Sequence, residues 1–381
     1  MTVATDSPFT ADELAPTLRP LLEASLLPAR AYVDDAVADW EARNLFLGGW
    51  ICAGHASAVA GRGAYLTVEL AGESLLFIGD GDGTARGFFN VCRHRGARLV
   101  NEPEGSTRRL QCPYHAWTYG FDGSLRGAPH TDELQEFDPG CNGLRPVRTE
   151  IAGGLLFCDV SGEAPPLEEH VGALAEHLDA YRTGALKRGA RIDYDVAANW
   201  KAIVENYSEC LHCPGVHPEL NRLSHYLSGD DFEGPGAWCG GSMTLTEGAA
   251  TMATNGGGPT RPTIAGVDPR AVLYFAIFPN CLVSLHPDYV MLHTLWPRGA
   301  GRTQVVCEWF FEPESIAAPD FDPTDAVEFW DQVNREDWEV CALTQRGMES
   351  RSFTPGRYTT QEDDVHTFDV MIAERYLEAL K

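Results

Sequence analysis

Four side chains able to bind metal stand close together in Val91–Gly120, VCRHRGARLVNEPEGSTRRLQCPYHAWTYG. Cys92 and His94 form one pair; Cys112 and His115 form a second after 17 intervening residues. A structural zinc finger usually keeps its cysteines together and its histidines together. Here each half supplies one of each. That suits a two-iron, two-sulfide cluster with both thiolates on one iron and both imidazoles on the other. Neutral imidazole in place of anionic thiolate raises the reduction potential. Gly96, Pro113 and Gly120 are turn formers that let two ligand loops fold over such a cluster. Zinc, or an ordinary core containing Cys and His, are the competing readings, and the interleaved spacing weighs against both.

A second set lies in Asn199–Leu220, NWKAIVENYSECLHCPGVHPEL. As a helix through about His212, this stretch places Trp200, Ile203, Val204, Tyr207 and Leu211 on one face. Glu205, Glu209 and His212 then share the opposite face. Pro214 and Gly215 break the helix, and the turn brings His217 back beside His212. A solvated polar face followed by a loop histidine is the bland alternative. A later helix is expected over Thr324–Arg346, with Thr324 as its N-cap. Its apolar stripe is Phe329, Trp330, Val333, Val340, Cys341 and Thr344. Asp337 falls in the middle, Glu336 sits at the edge, and Asp331 and Glu339 point away. A carboxylate in an apolar stripe is costly unless paired, for instance with an arginine, or bound to metal. Two histidines and one carboxylate are the ligand set of non-haem Fe(II) oxygenases, which leaves positions open for oxygen. Magnesium or calcium would need more oxygen donors.

The elements that must position these groups divide the 381 residues into an N-terminal helical arm (1–44), a small all-β domain (45–162) and an α+β domain (163–381). Within the arm, Thr10 begins a capped helix with Leu14, Leu18, Leu21 and Leu22 as its apolar side, although Pro16 and Pro20 oppose it. A further helix is expected over Ala31–Asn44. Packing on its own domain and packing on a neighbouring subunit are both open to this arm. Short strands are expected at Ala64–Leu70, Ser74–Gly79, Ala85–Val91 and Gly153–Val160. Past a linker at Glu163–Leu167 come a helix, Val171–Tyr181, and strands at Arg191–Val196, Leu273–Phe278, Cys281–Leu285, Val290–Trp296 and Gln304–Phe311. The Gly/Pro-rich Asn255–Thr263 is expected to be a loop bordering an active site. Antiparallel strands with long helices make the second domain α+β.

Composition sets outer limits. No apolar run reaches membrane-spanning length and the polar N-terminus lacks a signal-peptide pattern, so a cytoplasmic protein is the default. The formal net charge of −26 weighs against nucleic acid and anionic membranes as partners, and permits a cationic substrate, although a solubilising surface is the commoner reason for such a charge. The 11 cysteines are scattered and odd in number, which fits reduced core residues plus metal ligands. Gly79–Thr84 is glycine-rich but lies between strands, so it reads as a turn and not a nucleotide-binding loop.

Taken together, the two metal motifs resemble the Rieske non-haem iron oxygenase α subunits, the ring-hydroxylating oxygenase family, across about Leu45–Arg351. The resemblance implies a Rieske [2Fe-2S] domain and a helix-grip catalytic domain holding mononuclear Fe(II). It implies cluster ligands Cys92, His94, Cys112 and His115, and iron ligands His212, His217 and Asp337. In that family the cluster passes electrons one at a time to the iron, which activates O2. The acid preceding the first iron histidine, here Glu209, bridges the two centres between neighbouring chains of a homotrimer. Many ring dioxygenases carry Asp there; Glu is the form of the quaternary-ammonium branch. The absence of a flavin or nicotinamide fingerprint implies a separate flavin/iron-sulfur reductase that supplies electrons from NAD(P)H.

A closer resemblance is to the betaine, choline and carnitine oxygenases. It rests on ENYSECLHCPGVHPEL (205–220), FPNCLVSLHPDYVM (278–291) and NREDWEVCALTQRGMES (334–350). It implies hydroxylation or N-demethylation of a quaternary ammonium molecule, whose trimethylammonium group suits an aromatic cage. Trp238, Tyr274, Phe275, Phe278, Tyr289 and Trp296 are the candidates, and core packing competes for each. Two other functions are carried: oxidation of an aromatic or other hydrophobic substrate, by ring hydroxylation or O-demethylation, and an electron carrier without mononuclear iron. A complete triad and a whole second domain argue against the carrier.

Overall fold

A computed structural model describes residues 6–254, 256 and 261–380. Of the loop expected over Asn255–Thr263, residues 255 and 257–260 lie outside the described residues. The chain divides into two compact units: Phe46–Leu167, and the residues through Leu45 joined with those from Glu168 onward.

The first unit is all-β. Its main sheet has the order β1 (Trp50–His55), β10 (Leu155–Asp159), β9 (Pro146–Ala152), β4 (Ala85–Phe89), β3 (Glu73–Gly79), β2 (Ala64–Leu70) and β5 (Glu104–Ser106). The β2–β3 turn is Ala71-Gly72, both at positive φ. That geometry matches the twist of a two-residue hairpin. A small sheet, β6 (Leu110–Gln111), β7 (Thr118–Tyr119) and β8 (Leu125–Gly127), carries the loop with Cys112 and His115 between its first two strands. The core beneath the loops includes Leu76, Ile78, Phe88, Trp117 and Leu144.

The second unit is built on an antiparallel sheet in the order β11 (Lys187–Val196), β17 (Thr303–Phe311), β16 (Val290–Pro297), β15 (Cys281–Leu285), β14 (Ala271–Ile277), β13 (Trp238–Thr244) and β12 (Asp230–Asp231). β15 is buried at every position, so both of its faces are covered and its apolar run does not alternate. Three helices matter for the site: α1 (Trp200–Tyr207), α2 (Thr324–Met348) and α3 (Asp363–Glu378). α1 is tied to α2 where Gln345 Oε1 accepts the Asn199 N–H (2.9 Å), and it meets α3 through an edge-to-face Trp200–Phe368 contact.

Several expectations are corrected here. The helix expected to reach His212 ends at Tyr207, where Ser208 turns back to bond the Val204 carbonyl through its side chain (2.8 Å). Glu205 therefore does not share a face with Glu209 and His212. It is buried and accepts a hydrogen bond from Tyr32 (2.7 Å). Leu211, assigned to the apolar face, lies beyond the helix and is exposed. Thr324 is the first helical residue and not the cap; its N–H is taken by Asp322 Oδ1 (2.9 Å). On α2, Thr344 is exposed, and Asn334 and Gln345 hold buried positions instead. The Val171–Tyr181 helix is interrupted at Gly172, whose φ of +52° does not fit a helix. Cys210 and Cys213, expected reduced, form a disulfide across a tight turn.

The N-terminal segment belongs to the second unit. Thr10 and Glu13 form a reciprocal capping box, but the helix stops at Leu14, ahead of Pro16. The expected Ala31–Asn44 helix divides at Asp34 into Arg30–Val33 and Asp35–Glu41. Glu41 is then buried, where it accepts from Lys201 Nζ (2.6 Å), Trp200 Nε1 (2.9 Å) and the Tyr376 hydroxyl. The Lys201 side chain is fully buried against it. Removing one member of a buried ion pair strands the other's charge. Glu41→Ala is expected to destabilise this unit by roughly 3–5 kcal/mol. Urea unfolding followed by fluorescence checks this; a loss below about 1 kcal/mol, the ceiling for a typical exposed pair, would contradict it.

Candidate metal centres

The first centre is formed by two loops with matching closures. In one, the Gly96 N–H bonds the Cys92 carbonyl and the Cys92 N–H bonds the Ala97 carbonyl. In the other, the Ala116 N–H bonds the Cys112 carbonyl and the Cys112 N–H bonds the Trp117 carbonyl. The reversal needs positive φ in each loop, supplied by Gly96 (+75°) and by Ala116 (+58°), a residue whose type gives no hint of it. Cys92 and Cys112 are buried with free thiols. The His94 and His115 rings lie 4.7 Å apart, centroid to centroid, and His94 stacks on Trp117. His115 Nδ1 is buried without a hydrogen-bond partner among the described residues. Two thiols and two close imidazoles, one of them with an orphaned nitrogen, fit a cluster bound by Cys2His2. The Tyr119 hydroxyl lies 3.3 Å from Cys92 Sγ, where it can donate to a bound sulfur.

The second centre joins the turn after α1 to the middle of α2. His212, His217 and Asp337 offer ligating atoms that all lie within 4.8 Å of one another. Both imidazoles point Nε2 at Asp337 Oδ1, at 3.3 Å from His212 and 2.8 Å from His217. The outer nitrogens are held as well. His212 Nδ1 meets Glu209 Oε1 (2.6 Å), and His217 Nδ1 meets Glu336 Oε2 (2.7 Å). Glu209 is itself fixed by the N–H groups of Leu211 and His212, and Glu336 by Gln332 (2.9 Å). A carboxylate on the outer nitrogen orients a ligating imidazole and raises its basicity. Three converging donors, the two imidazoles braced from behind, fit a mononuclear metal with open positions. Asp337 bonds two histidines, and no arginine pairs with it among the described residues.

An open cavity of about 610 Å³ adjoins these three residues. Tyr207, Tyr274, Trp330, Met243 and Met252 form much of its wall. Of the residues singled out as a cage, Tyr274 lines the cavity. Trp238, Phe275, Phe278, Tyr289 and Trp296 do not. Tyr274 and Phe275 are neighbours on β14, so their side chains face opposite sides of the sheet. Phe275 packs on Phe232 and Trp238, and Phe278 on Phe368. Tyr289 stands one layer back, where its hydroxyl accepts from Trp330 Nε1 (2.6 Å) and holds that wall. Sequence reasoning passed over Tyr207 and Trp330 as core and Glu336 as an edge residue. The one available signal for Glu336 was its place beside Asp337, four residues after Gln332.

Burial alone would lower the pKa of His212, but the Asp337 and Glu209 carboxylates outweigh it and raise the value to about 9. A raised histidine stabilises the metal-free fold fully below its ordinary 6.5, and that contribution is lost as pH rises through about 9. A metal ion must displace this proton. The gain in Tm on adding Co(II), an air-stable stand-in for Fe(II), is therefore expected to be larger at pH 9 than at pH 6. Thermal unfolding of metal-free protein with and without Co(II) checks it; an equal or larger gain at pH 6 would contradict the assignment.

Comparison with known proteins agrees with both centres. Residues 49–138 match the Rieske [2Fe-2S] domain, and residues 183–378 match the ring hydroxylating alpha subunit (catalytic domain). The chain is 32% identical to the glycine betaine monooxygenase oxygenase subunit of Chromohalobacter salexigens, over 94% of this chain and 87% of that one. It is 36% identical to the carnitine monooxygenase oxygenase subunit of Escherichia coli, over 55% of this chain and 58% of that one. A crystal structure of the quaternary ammonium Rieske monooxygenase CntA superposes with a TM-score of 0.83 at 26% identity, covering 97% of this chain and 99% of that one. In the described residues no helix is long and apolar enough to cross a membrane. With a Rieske domain followed by this catalytic domain, the chain belongs to the ring-hydroxylating oxygenase α-subunit family.

Proposed function

We propose that this chain is the oxygenase component of a Rieske monooxygenase that oxidises a C–H bond next to a quaternary nitrogen. The observation that carries the reading is the aromatic-walled cavity opening directly onto His212, His217 and Asp337. The chain's likeness to oxygenase subunits named for glycine betaine and carnitine supports the same substrate class. An N-methylated cation donates no hydrogen bonds, and ring faces such as those of Tyr207, Tyr274 and Trp330 attract it. Hydroxylation of an N-methyl group gives a hemiaminal, which loses formaldehyde; hydroxylation elsewhere gives an alcohol, or an aldehyde by loss of water where the carbon already bears a hydroxyl.

The residues divide the work. Cys92, His94, Cys112 and His115 would hold the cluster, and His212, His217 and Asp337 the mononuclear iron. When bound, these groups supply stored electrons and O2 activation. Glu209 and Glu336 accept the Nδ1 protons and so keep both Nε2 atoms turned toward Asp337. Tyr207 is held in the wall by its hydroxyl contact with Ser284 (2.8 Å). On this reading Glu209 also links His212 to a cluster imidazole of a neighbouring chain in a homotrimer, and a separate reductase passes on electrons from NAD(P)H.

Metal analysis and turnover test the assignment together. The wild-type protein is expected to carry three irons per chain and Asp337→Ala two, with turnover abolished. Glu336→Ala keeps the three ligands but is expected to lose about 10- to 100-fold in iron affinity or activity. An Asp337→Ala protein that retains three irons and full turnover would falsify the iron site. For the substrate, O2 uptake and formaldehyde release by the reductase-driven enzyme are followed together. Coupled turnover of a trimethylammonium compound is expected. Coupling only to neutral arenes would contradict the substrate class.

A further inference from the structure

One hydroxyl joins two walls of the cavity at the iron ligands. Met252 and Trp330 both line that cavity, the first from the segment after β13 and the second from α2. Behind them the Tyr289 hydroxyl accepts from Trp330 Nε1 (2.6 Å) and donates to the Met252 carbonyl (2.7 Å). Tyr289 lies between β15 and β16 and is fully buried, and burial holds its phenol well above the ordinary range, so the proton stays in place. Its ring stacks on His286 (4.2 Å between centroids), and the Arg261 guanidinium lies over it (5.8 Å). The same turn carries Asp288, also buried. The Asp288 carboxylate accepts from the Thr251 hydroxyl and from Arg261 Nε (3.1 Å). Arg261 also reaches both oxygens of Asp325 in the first turn of α2, and the Asp325 carbonyl accepts the Thr254 N–H (3.0 Å).

Thr251–Thr254 lies in neither helix nor strand, so no regular backbone ladder fixes Met252 at the cavity. Its place is set by groups from the β15–β16 turn and from α2. A buried polar group deprived of its partner is costly, so it shifts until it finds another. For stability alone, apolar residues of the same shape serve as well as a buried ion pair, or better. What this cluster adds is a fixed separation between two walls. We infer that Tyr289 is a positioning residue for the substrate: its hydroxyl holds Met252 and Trp330 at one spacing, and Arg261, Asp288 and Asp325 anchor the segment that carries Met252. This rests on the reading of the cavity as the substrate site and adds the group that sets its shape. Displacement of a reacting C–H bond by about 1 Å is enough to lose a large factor in rate. O2 that is not used on the substrate then leaves as hydrogen peroxide, with two electrons from the reductase and two protons.

Tyr289→Phe removes the hydroxyl and keeps the ring. Steady-state turnover of the reductase-driven holoenzyme tests it, with glycine betaine, choline and L-carnitine as probes and with O2 uptake, product and hydrogen peroxide followed together. For the probe of lowest wild-type KM, Tyr289→Phe is expected to raise KM about tenfold (~1.4 kcal/mol) and to divert O2 into peroxide, at unchanged iron content. Trp330→Phe removes the partner N–H. Adding Tyr289→Phe to it is expected to raise KM by less than about threefold further, because the shared bond is already gone. A residue that only stabilises the fold would lower Tm without moving KM or the ratio of product to O2. The inference is overturned if Tyr289→Phe leaves both of those unchanged, or if the effects of the two substitutions simply multiply. Should Tyr289→Phe fail to fold, Thr251→Val, which frees the segment from Asp288, is expected to raise KM about threefold, and an unchanged KM would overturn the inference. If only a neutral arene is oxidised, the quaternary-ammonium reading falls, and the same comparison with that arene decides the role of Tyr289.

Discussion

One carboxylate oxygen, Asp337 Oδ1, receives the inner nitrogen of two histidines from a different part of the chain. A carboxylate at such a place is costly unless compensated. Burial pushes the Asp337 pKa up, and the two imidazoles more than reverse it, so the folded state holds the group charged. The convergence depends on how α1 and α2 are locked together. Gln345 reaches the start of α1 at Asn199, and Cys341 contacts the Ala202 carbonyl one turn further on. Behind α1, the Lys201–Glu41 pair fastens the N-terminal segment to it. A shift of one helix against the other by a fraction of a turn would separate the histidines from the acid.

The all-β unit solves a similar problem by other means. The four residues proposed to hold the cluster come from two short loops, with no helix to set their spacing. The backbone closes each loop on its own cysteine, and a positive φ at Gly96 or Ala116 turns the following chain away. The thiols are buried while His94 is exposed. A cluster held here would have its thiolates inside the protein and an imidazole at the surface.

The grouping of these side chains was legible in the sequence because candidate metal ligands stand out by type and spacing. Cys92, His94, Cys112 and His115 identify themselves, and Asp337 stands out as a charge inside an apolar stripe. The strands from Leu273 to Phe311 were legible from β-branched and aromatic runs. The misplacement of Glu205 and Leu211 has one physical origin, the extrapolation of a regular helix through its own end. Periodicity carried α1 on to His212 and grouped Glu205 with the metal residues, whereas Ser208 closes the helix and turns Glu205 toward Tyr32. The aromatic wall was illegible for a different reason. Tyr274 and Phe275 are adjacent and alike in type, and only the sheet's two faces decide which one meets the cavity. Glu336 was hidden because its role lies in a partner, His217, 119 residues away.

The central claim is that three residues from two distant segments hold one iron, apart from a cluster held by four others. Anomalous diffraction at the iron edge from crystals of the holoenzyme tests it most directly. The account predicts one isolated peak among His212, His217 and Asp337, and a close pair of peaks among Cys92, His94, Cys112 and His115. A full-occupancy iron peak elsewhere, or none at the triad in catalytically active crystals, would contradict it.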